Sequence, residues 1–377
     1  MQGCPACGCQ AKGCPVSRSP FLTQGSSSRR ARALARRRRR RHRILVAIAL
    51  LAVAAALAIL LGFVHPDTTH SAASGSAKHG AHTHHTTVAV VARSPAGLPL
   101  GSPPLHLDLS GADDPVQASF QRQPSAGLLF DLDNGRVLWQ LNPLRRLHMA
   151  SLTKLMTALR VVRTTPANAP VLITHEAIDM PGSKVGLLPL GKHVPAETLL
   201  YGLLLPSGND AAVALAQHVS GSVSAFVKGM NSEAARLGLG CTHYSSPSGY
   251  YDARNYTCAA DLAELASVDI HQPRIARIVG TAEAALPFPI KGGKLYLSNN
   301  NPLLVYGYPG TTGMKTGYTE LAGDCLVASA ERDGVSLGVV LLHSPDMGRQ
   351  AEYLLNAGFA DVYRQRLIAS PQVPPGR

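Results

Sequence analysis

The hydrophobic pattern changes character twice along the chain. Residues 44–64, ILVAIALLAVAAALAILLGFV, form an unbroken apolar run with no charged side chain. At ~1.5 Å rise per residue such a helix crosses a hydrocarbon core of ~30 Å, so one transmembrane helix is expected there. Residues 65–118 then show neither a helical nor a strand period and are rich in Ser, Ala, Gly, Pro and Thr, the composition of a flexible linker. Regular patterning starts near Phe120. The runs GLLFD (127–131) and RVLWQ (136–140) flank Asn134-Gly135, which predicts a tight β-hairpin. Apolar residues at 152, 155, 156 and 159 predict a helix beginning near Ser151. Further helices are expected around 196–205, 211–218, 222–237 and 259–268. Strands follow at 294–298, 313–318, 323–330 and 336–342, then a last helix near 347–357. Strands at both ends with helices between them predict an α+β domain over 119–366, its sheet assembled from distant segments around a helical insertion. Residues 367–377 are left as a C-terminal tail.

Composition adds little until the charge is located. The chain of 377 residues has 36 Lys+Arg and 23 Asp+Glu, a formal net charge of +13. Twelve of the basic residues, and no acidic one, fall within 1–43, so the remainder is close to neutral. A basic groove on the folded part, as a nucleic-acid enzyme would need, is therefore not expected. The Arg-rich stretch from Arg36 to Arg43 precedes the apolar span directly, which orients 1–43 as a cytoplasmic tail and everything after residue 64 as extracytoplasmic. A cleaved signal peptide would have a shorter apolar region, of ~7–15 residues. The expectation is thus a single-pass membrane protein, held in the bilayer through 44–64, with its folded part outside the cell. Cys4, Cys7, Cys9 and Cys14 lie in a short Gly/Pro-interrupted segment without a core around it, and are read as an unstructured tail, not a metal clip.

Three short motifs carry candidate chemistry. Ser151 and Lys154 share a helix face, so the amine can reach the hydroxyl and act as its base if burial or a neighbouring cation lowers its pKa. A serine at a helix start is also an ordinary cap. Ser207-Gly208-Asn209 lies between two apolar helical stretches. It reads either as a helix–helix turn or as a proton relay with an amide that positions Lys154 and substrate. Lys315-Thr316-Gly317 lies on a strand whose glycine would let another extended backbone come close, with a cation and a hydroxyl for a carboxylate. Alone, each is weak. Their order, Ser-x-x-Lys, Ser-x-Asn, Lys-Thr-Gly, is the signature of β-lactamases and penicillin-binding proteins.

Longer stretches sharpen this. FDLDNGRVLW, ASLTKLMTAL, LLYGLLLPSGNDAAVALA, FVKGMNSEAARLG, PSGYYDARNYTCAADLA and GMKTGYTELAGDCLVASA closely resemble the low-molecular-mass penicillin-binding proteins that are serine-type D-Ala-D-Ala carboxypeptidases, peptidase family S11. The resemblance implies the β-lactamase/transpeptidase-like fold, an antiparallel sheet flanked by helices with a helical subdomain. It implies Ser151 as acyl-enzyme nucleophile, Lys154 as its base, Ser207 and Asn209 in proton relay and positioning, and Lys315 with Thr316 holding the terminal carboxylate. Gly317 and Tyr318 complete the substrate strand, and the oxyanion hole would be the N–H groups of Ser151 and Tyr318. The implied substrate is the peptidoglycan pentapeptide stem, with β-lactams as inhibitors, no metal and no cofactor. Transpeptidation and β-lactam hydrolysis, which use the same motifs, remain as alternatives.

One departure matters. Some relatives have an Arg ahead of the third motif, whereas this chain reads Asn299-Asn300-Asn301-Pro302-Leu303-Leu304, which leaves carboxylate binding to Lys315 and Thr316 or to another cation such as Arg254. The β-lactamase-like E-x-x-L-N run at Glu352–Asn356 falls after Lys-Thr-Gly on an amphipathic helix, so it is taken as accidental. A His-assisted serine protease is disfavoured, because there is no G-x-S-x-G elbow. Cys241 and Cys258, 17 residues apart, could pair in an oxidising compartment or stay free. Cys325 is expected as a small buried residue on a central strand.

Overall fold

The computed structural model describes residues 105–110, 114–250 and 253–369. The expected membrane span at 44–64, the basic tail with its cysteines, most of the linker and residues 370–377 lie outside these. Among the described residues no helix is long and apolar enough to cross a membrane.

The chain opens with strands β1 (Ala126–Asp131), β2 (Val137–Leu141) and β3 (Leu147–His148), then a 3-10 turn Ala150–Leu152 that leads into α1 (Thr153–Thr164). Next come β4 (Pro170–Leu172), α2 (His175–Ile178), β5 (His193–Pro195), α3 (Ala196–Leu204), α4 (Asn209–Ser220) and α5 (Val223–Arg236). The second half runs β6 (Tyr256–Thr257), α6 (Ala259–Ile270), α7 (Pro273–Val279), β7 (Glu283–Pro287), β8 (Lys294–Ser298) and α8 (Pro302–Val305). Strands β9 (Thr311–Thr319), β10 (Gly323–Arg332) and β11 (Val335–Ser344) and helix α9 (Met347–Ala369) close it. The main sheet is antiparallel in the order β2-β1-β11-β10-β9, so N-terminal and C-terminal strands meet at β1–β11, with Leu128 opposite Val340. This is the sheet of distant segments that the strand–helix–strand pattern predicts.

Strict alternation divides the core. Leu128, Phe130, Val327, Val340 and Leu342 face α1, α3, α4 and α6, while Leu129, Leu326, Leu337, Val339 and Leu341 face Leu354, Leu355 and Phe359 of α9. Because both faces are covered, these strands read as continuous apolar runs. That arrangement separates the E-x-x-L-N run from the helix-rich face. Its Asn356 accepts a hydrogen bond from the Tyr308 hydroxyl (2.9 Å), a packing role.

Some expectations need correction. Strand 294–298 does not join the main sheet but pairs with β7 as a separate two-stranded ribbon, because only its Leu295 and Leu297 are buried. Helices α2, α7 and α8 are too short to show a helical period in the sequence; α7 starts with Pro273 at its first turn. The linker boundary at 118 is too late. Leu105, Leu107 and Leu109 pack against the core, the Leu105 N–H donates to the Glu264 carboxylate (2.8 Å), and buried Val116 donates to the Leu138 carbonyl (3.0 Å). The alternation in LHLDL is the signal for this, but it is too short to stand out.

Cys241 and Cys258 are joined by a disulfide, with Cα atoms 5.6 Å apart, and Cys325 is free and buried on β10. The bridge ties the loop before β6 to the start of α6. Closing a loop of this size removes unfolded-state entropy worth ~3 kcal/mol. A Cys241→Ser/Cys258→Ala protein should therefore melt several degrees lower in calorimetry, with reductant no longer changing its melting point. An unaltered melting point would show that the bridge contributes no stability.

Candidate active site

The candidate site forms where the 3-10 turn, the start of α4, the loop before β6 and the edge strand β9 converge. The turn holds Ser151 ahead of α1, not within the regular helix. Its geometry is enforced from both sides. Ala150 is in the left-handed region (φ 47°), and Thr153 Oγ1 donates back to the Ala150 carbonyl (2.8 Å). Against it lies Gly249 (φ 73°), where a Cβ would sit 1.9 Å from the Ala150 carbonyl oxygen, so only glycine fits.

Lys154 is fully buried one turn on. Its Nζ donates to Ser151 Oγ (2.8 Å), to Asn209 Oδ1 (2.8 Å) and to the Ser248 carbonyl (2.7 Å). No carboxylate is among these acceptors. Burial holds its pKa well below the usual lysine range, the Lys315 charge pushes the same way, and Asp210 opposes both. An amine so placed loses its proton readily, and its lone pair then points at a hydroxyl.

Asn209 is held as firmly. Its Nδ2 donates to the Pro181 carbonyl (2.7 Å) and its backbone N–H to the Ser183 carbonyl (2.8 Å). The adjacent Asp210 is buried and accepts from the Val185 N–H (2.9 Å) and from Ala211 N–H (2.8 Å), pinning the 181–185 loop to the start of α4. Ser207 takes a left-handed backbone (φ 70°), and its buried Oγ has no hydrogen-bond partner among the described residues. A buried hydroxyl left unpaired is costly and suits a group that arrives with substrate or water.

Strand β9 lies at the sheet edge, paired only with β10. A Cβ at Gly317 would stand 3.0 Å from both Ser151 N and Met149 O, so glycine keeps the space above the Ser151 amide open. Lys315 is buried; desolvation pushes its pKa down to about 7, and its Nζ donates to the Thr316 carbonyl (3.0 Å). Thr316 is buried and Tyr318 is exposed on the same edge. Thus Ser151, Lys154 and Asn209 are joined by direct hydrogen bonds, Gly317 abuts the turn, and Lys315 is near enough for its charge to act on Lys154.

The other cation considered, Arg254, is exposed in the loop before β6, where its carbonyl bonds His243 Nδ1 (2.8 Å). The asparagine stretch that stands where some relatives have Arg is structural. Asn299 Nδ2 donates to the carbonyls of Val279 (3.1 Å) and Thr281 (3.0 Å), and Asn301 Oδ1 caps the Leu303 N–H (3.0 Å). The contributions missed from sequence are the Ser248 carbonyl, the Gly249 fit and Asp210. The first is a backbone atom with no residue-type signature; a Pro-Ser-Gly run at 247–249 was the only hint.

The family model of D-alanyl-D-alanine carboxypeptidases, peptidase family S11, matches residues 115–346. The chain is 35% identical over 244 residues to the D-alanyl-D-alanine carboxypeptidase DacF of Bacillus subtilis, covering 63% of this chain and 62% of that protein. It is 34% identical to DacC of Escherichia coli, covering 62% and 60% respectively. The chain therefore spans about six-tenths of the length of these curated relatives. Among solved structures, the Streptomyces K15 DD-transpeptidase superposes with a TM-score of 0.61 at 31% identity, over 65% of this chain and all of that one. A Mycobacterium tuberculosis D-alanyl-D-alanine carboxypeptidase gives 0.59 at 28%, over 71% and 96%. The α+β architecture, an antiparallel sheet covered by helices, is shared with these structures.

Proposed function

We propose, for a chain that belongs to the D-alanyl-D-alanine carboxypeptidases of peptidase family S11, that it releases the C-terminal D-alanine of peptidoglycan pentapeptide stems through an acyl ester on Ser151. The observation that carries this reading is the buried Lys154 amine, 2.8 Å from Ser151 Oγ with no carboxylate bonded to it.

The stem lies along the open edge of β9 with its terminal carboxylate at Lys315 and Thr316. Neutral Lys154 takes the Ser151 proton as Oγ forms its bond to the carbonyl of the penultimate residue. The oxyanion is met by the N–H groups of Ser151 and Tyr318. The C–N bond then breaks, and the leaving amine receives its proton through Lys154 and the unpaired Ser207 hydroxyl. Water hydrolyses the ester and returns a proton to Ser151. β-Lactams enter as acylating inhibitors. No metal or cofactor has a part.

The similar Streptomyces K15 protein is a DD-transpeptidase, so the acyl acceptor is the point to test. Incubating the full-length protein with a pentapeptide stem should yield free D-alanine and tetrapeptide. Dimerised stems as the main product would replace hydrolysis with transpeptidation, and fast turnover of penicillin would make the protein a β-lactamase.

The two lysines set a pH profile with opposite signs. Lys154 must be neutral, so kcat/KM rises as pH climbs through its lowered pKa. Lys315 must be charged, so kcat/KM falls again as pH passes about 7, where the unliganded lysine loses its proton. Lys315→Arg, which keeps its charge at every accessible pH, should remove the falling limb. A wild-type profile unchanged by this substitution would show that Lys315 does not bind the carboxylate.

The apolar span supports a membrane-anchored, outward-facing enzyme, with the linker setting its distance from the bilayer. Carbonate-washed membranes should retain the protein, and deleting 1–64 should release it. Full-length protein recovered in the wash would refute the anchor.

A further inference from the structure

Once Lys154 is neutral, its amine has two hydrogens and one lone pair to share among three neighbours. Asn209 Oδ1 and the Ser248 carbonyl can only accept, so they take both hydrogens and leave the lone pair to the Ser151 hydroxyl. The aim of the base therefore depends on where the Ser248 carbonyl stands. Asn209 is fixed from within its own helix and the 181–185 loop, whereas Ser248 lies in a short irregular segment, 245–249, which needs support of its own.

That support converges on a side chain outside the three motifs. Asn255, ahead of β6, is 1% exposed. Its Oδ1 accepts from the Ser245 N–H (2.8 Å) and its Nδ2 donates to Ser246 Oγ (2.8 Å), which also accepts from the Gly249 N–H (3.0 Å). One amide thus holds both ends of the segment whose middle carries Ser248. The Asn255 backbone carbonyl accepts from His148 Nδ1 (3.2 Å), three residues ahead of Ser151, which ties the same residue to the approach of the 3-10 turn. From α1, Thr157 Oγ1 donates to the Pro247 carbonyl (2.7 Å) and secures the remaining side. The Cys241–Cys258 bridge stands farther off. Between it and Asn255 comes the backbone pair of His243 with Tyr256 (2.9 and 3.1 Å), which joins the two flanks without it.

Resting on the reading given under Proposed function, we propose that Asn255 is a positioning residue for acylation: it clamps 245–249 so that the Ser248 carbonyl occupies one amine hydrogen and the Lys154 lone pair stays on Ser151 Oγ. Its effect falls on the rate of acylation and not on substrate affinity, because the segment it holds faces the base and not the carboxylate-binding strand. An aspartate can replace it. The carboxylate accepts from the Ser245 N–H and from the Ser246 hydroxyl, whose hydrogen the Gly249 N–H does not need. A leucine of similar size can do neither.

The test uses full-length protein and labelled penicillin, with the acylation rate constant and the noncovalent affinity measured separately. Asn255→Leu should slow acylation about tenfold, the scale of one hydrogen bond lost in a buried site, with affinity unchanged. Asn255→Asp should restore the wild-type rate. Ser246→Ala, at a half-buried position that tolerates the change, should slow acylation in the same direction and serves if the leucine variant does not fold. In a Lys154→Ala background Asn255→Leu should cost nothing more, since it acts through that amine. The Cys241→Ser/Cys258→Ala protein, although it melts lower, should keep the wild-type rate, which separates positioning from stability. An unchanged rate in both Asn255→Leu and Ser246→Ala, equal slowing in Asn255→Asp or in the bridge variant, or a further loss in the Lys154→Ala background would each overturn the role. Release of D-alanine is scored separately. Wild-type protein that is acylated yet releases none would sink the carboxypeptidase reading and leave Asn255 its role; wild-type protein never acylated on Ser151 would end both.

Discussion

Ser151→Ala protein, incubated with labelled penicillin and examined by mass spectrometry, will carry no adduct, whereas the wild-type chain will carry one per molecule on Ser151. Release of D-alanine should fall by ~10⁶-fold, the scale on which loss of a serine nucleophile falls in other hydrolases. The physical reason is local. Of the acceptors around Lys154, only Ser151 offers an oxygen that can leave its proton and form an ester; the others are an amide and a carbonyl. The fold should be untouched, because Ser151 is half-buried in a turn that is held by Thr153 and Gly249 rather than by its own hydroxyl. An adduct persisting at another serine would remove Ser151 from the mechanism.

Replacing Lys154 separates its role as a base from its role as a donor. Lys154→Ala should slow acylation by ~10²–10⁴-fold, the range for a positioned general base. It also leaves Asn209 Oδ1 and the Ser248 carbonyl without their donor, so some stability is lost, at ~1–3 kcal/mol for each buried acceptor left unpaired. Lys154→Arg is the sharper variant. Arginine keeps charge and donors but cannot deprotonate, so it should be inactive across the whole accessible pH range while near-native in circular dichroism. If the arginine variant were acylated within tenfold of wild type, the lysine would be a structural donor and some other group would take the proton.

Part of this site was legible before any fold was known. Ser151 and Lys154 lie three residues apart in a helical pattern, Asn134-Gly135 marks its hairpin, and the long apolar runs of β10 and β11 mark buried strands. Each depends on periodicity or turn chemistry within a few residues, which a sequence displays directly. The 294–298 strand shows the limit: its own pattern is right, but that it pairs with β7 just upstream and stays out of the main sheet is decided by which of its faces the core covers. The linker boundary failed for a similar reason, since LHLDL gains meaning only against Glu264 and the core.

What the sequence determined by itself, then, is most of the longer elements, the order of the three motifs and the sign of the charge ahead of the apolar span. Only the tertiary structure decided that Lys154 is dry, that its third partner is the Ser248 carbonyl 94 residues away, and that Cys241 pairs with Cys258. Desolvation and the convergence of backbone carbonyls are properties of segments brought together from far apart. They leave no mark on residue identity, except a glycine such as Gly249, where a single Cβ would have filled the space.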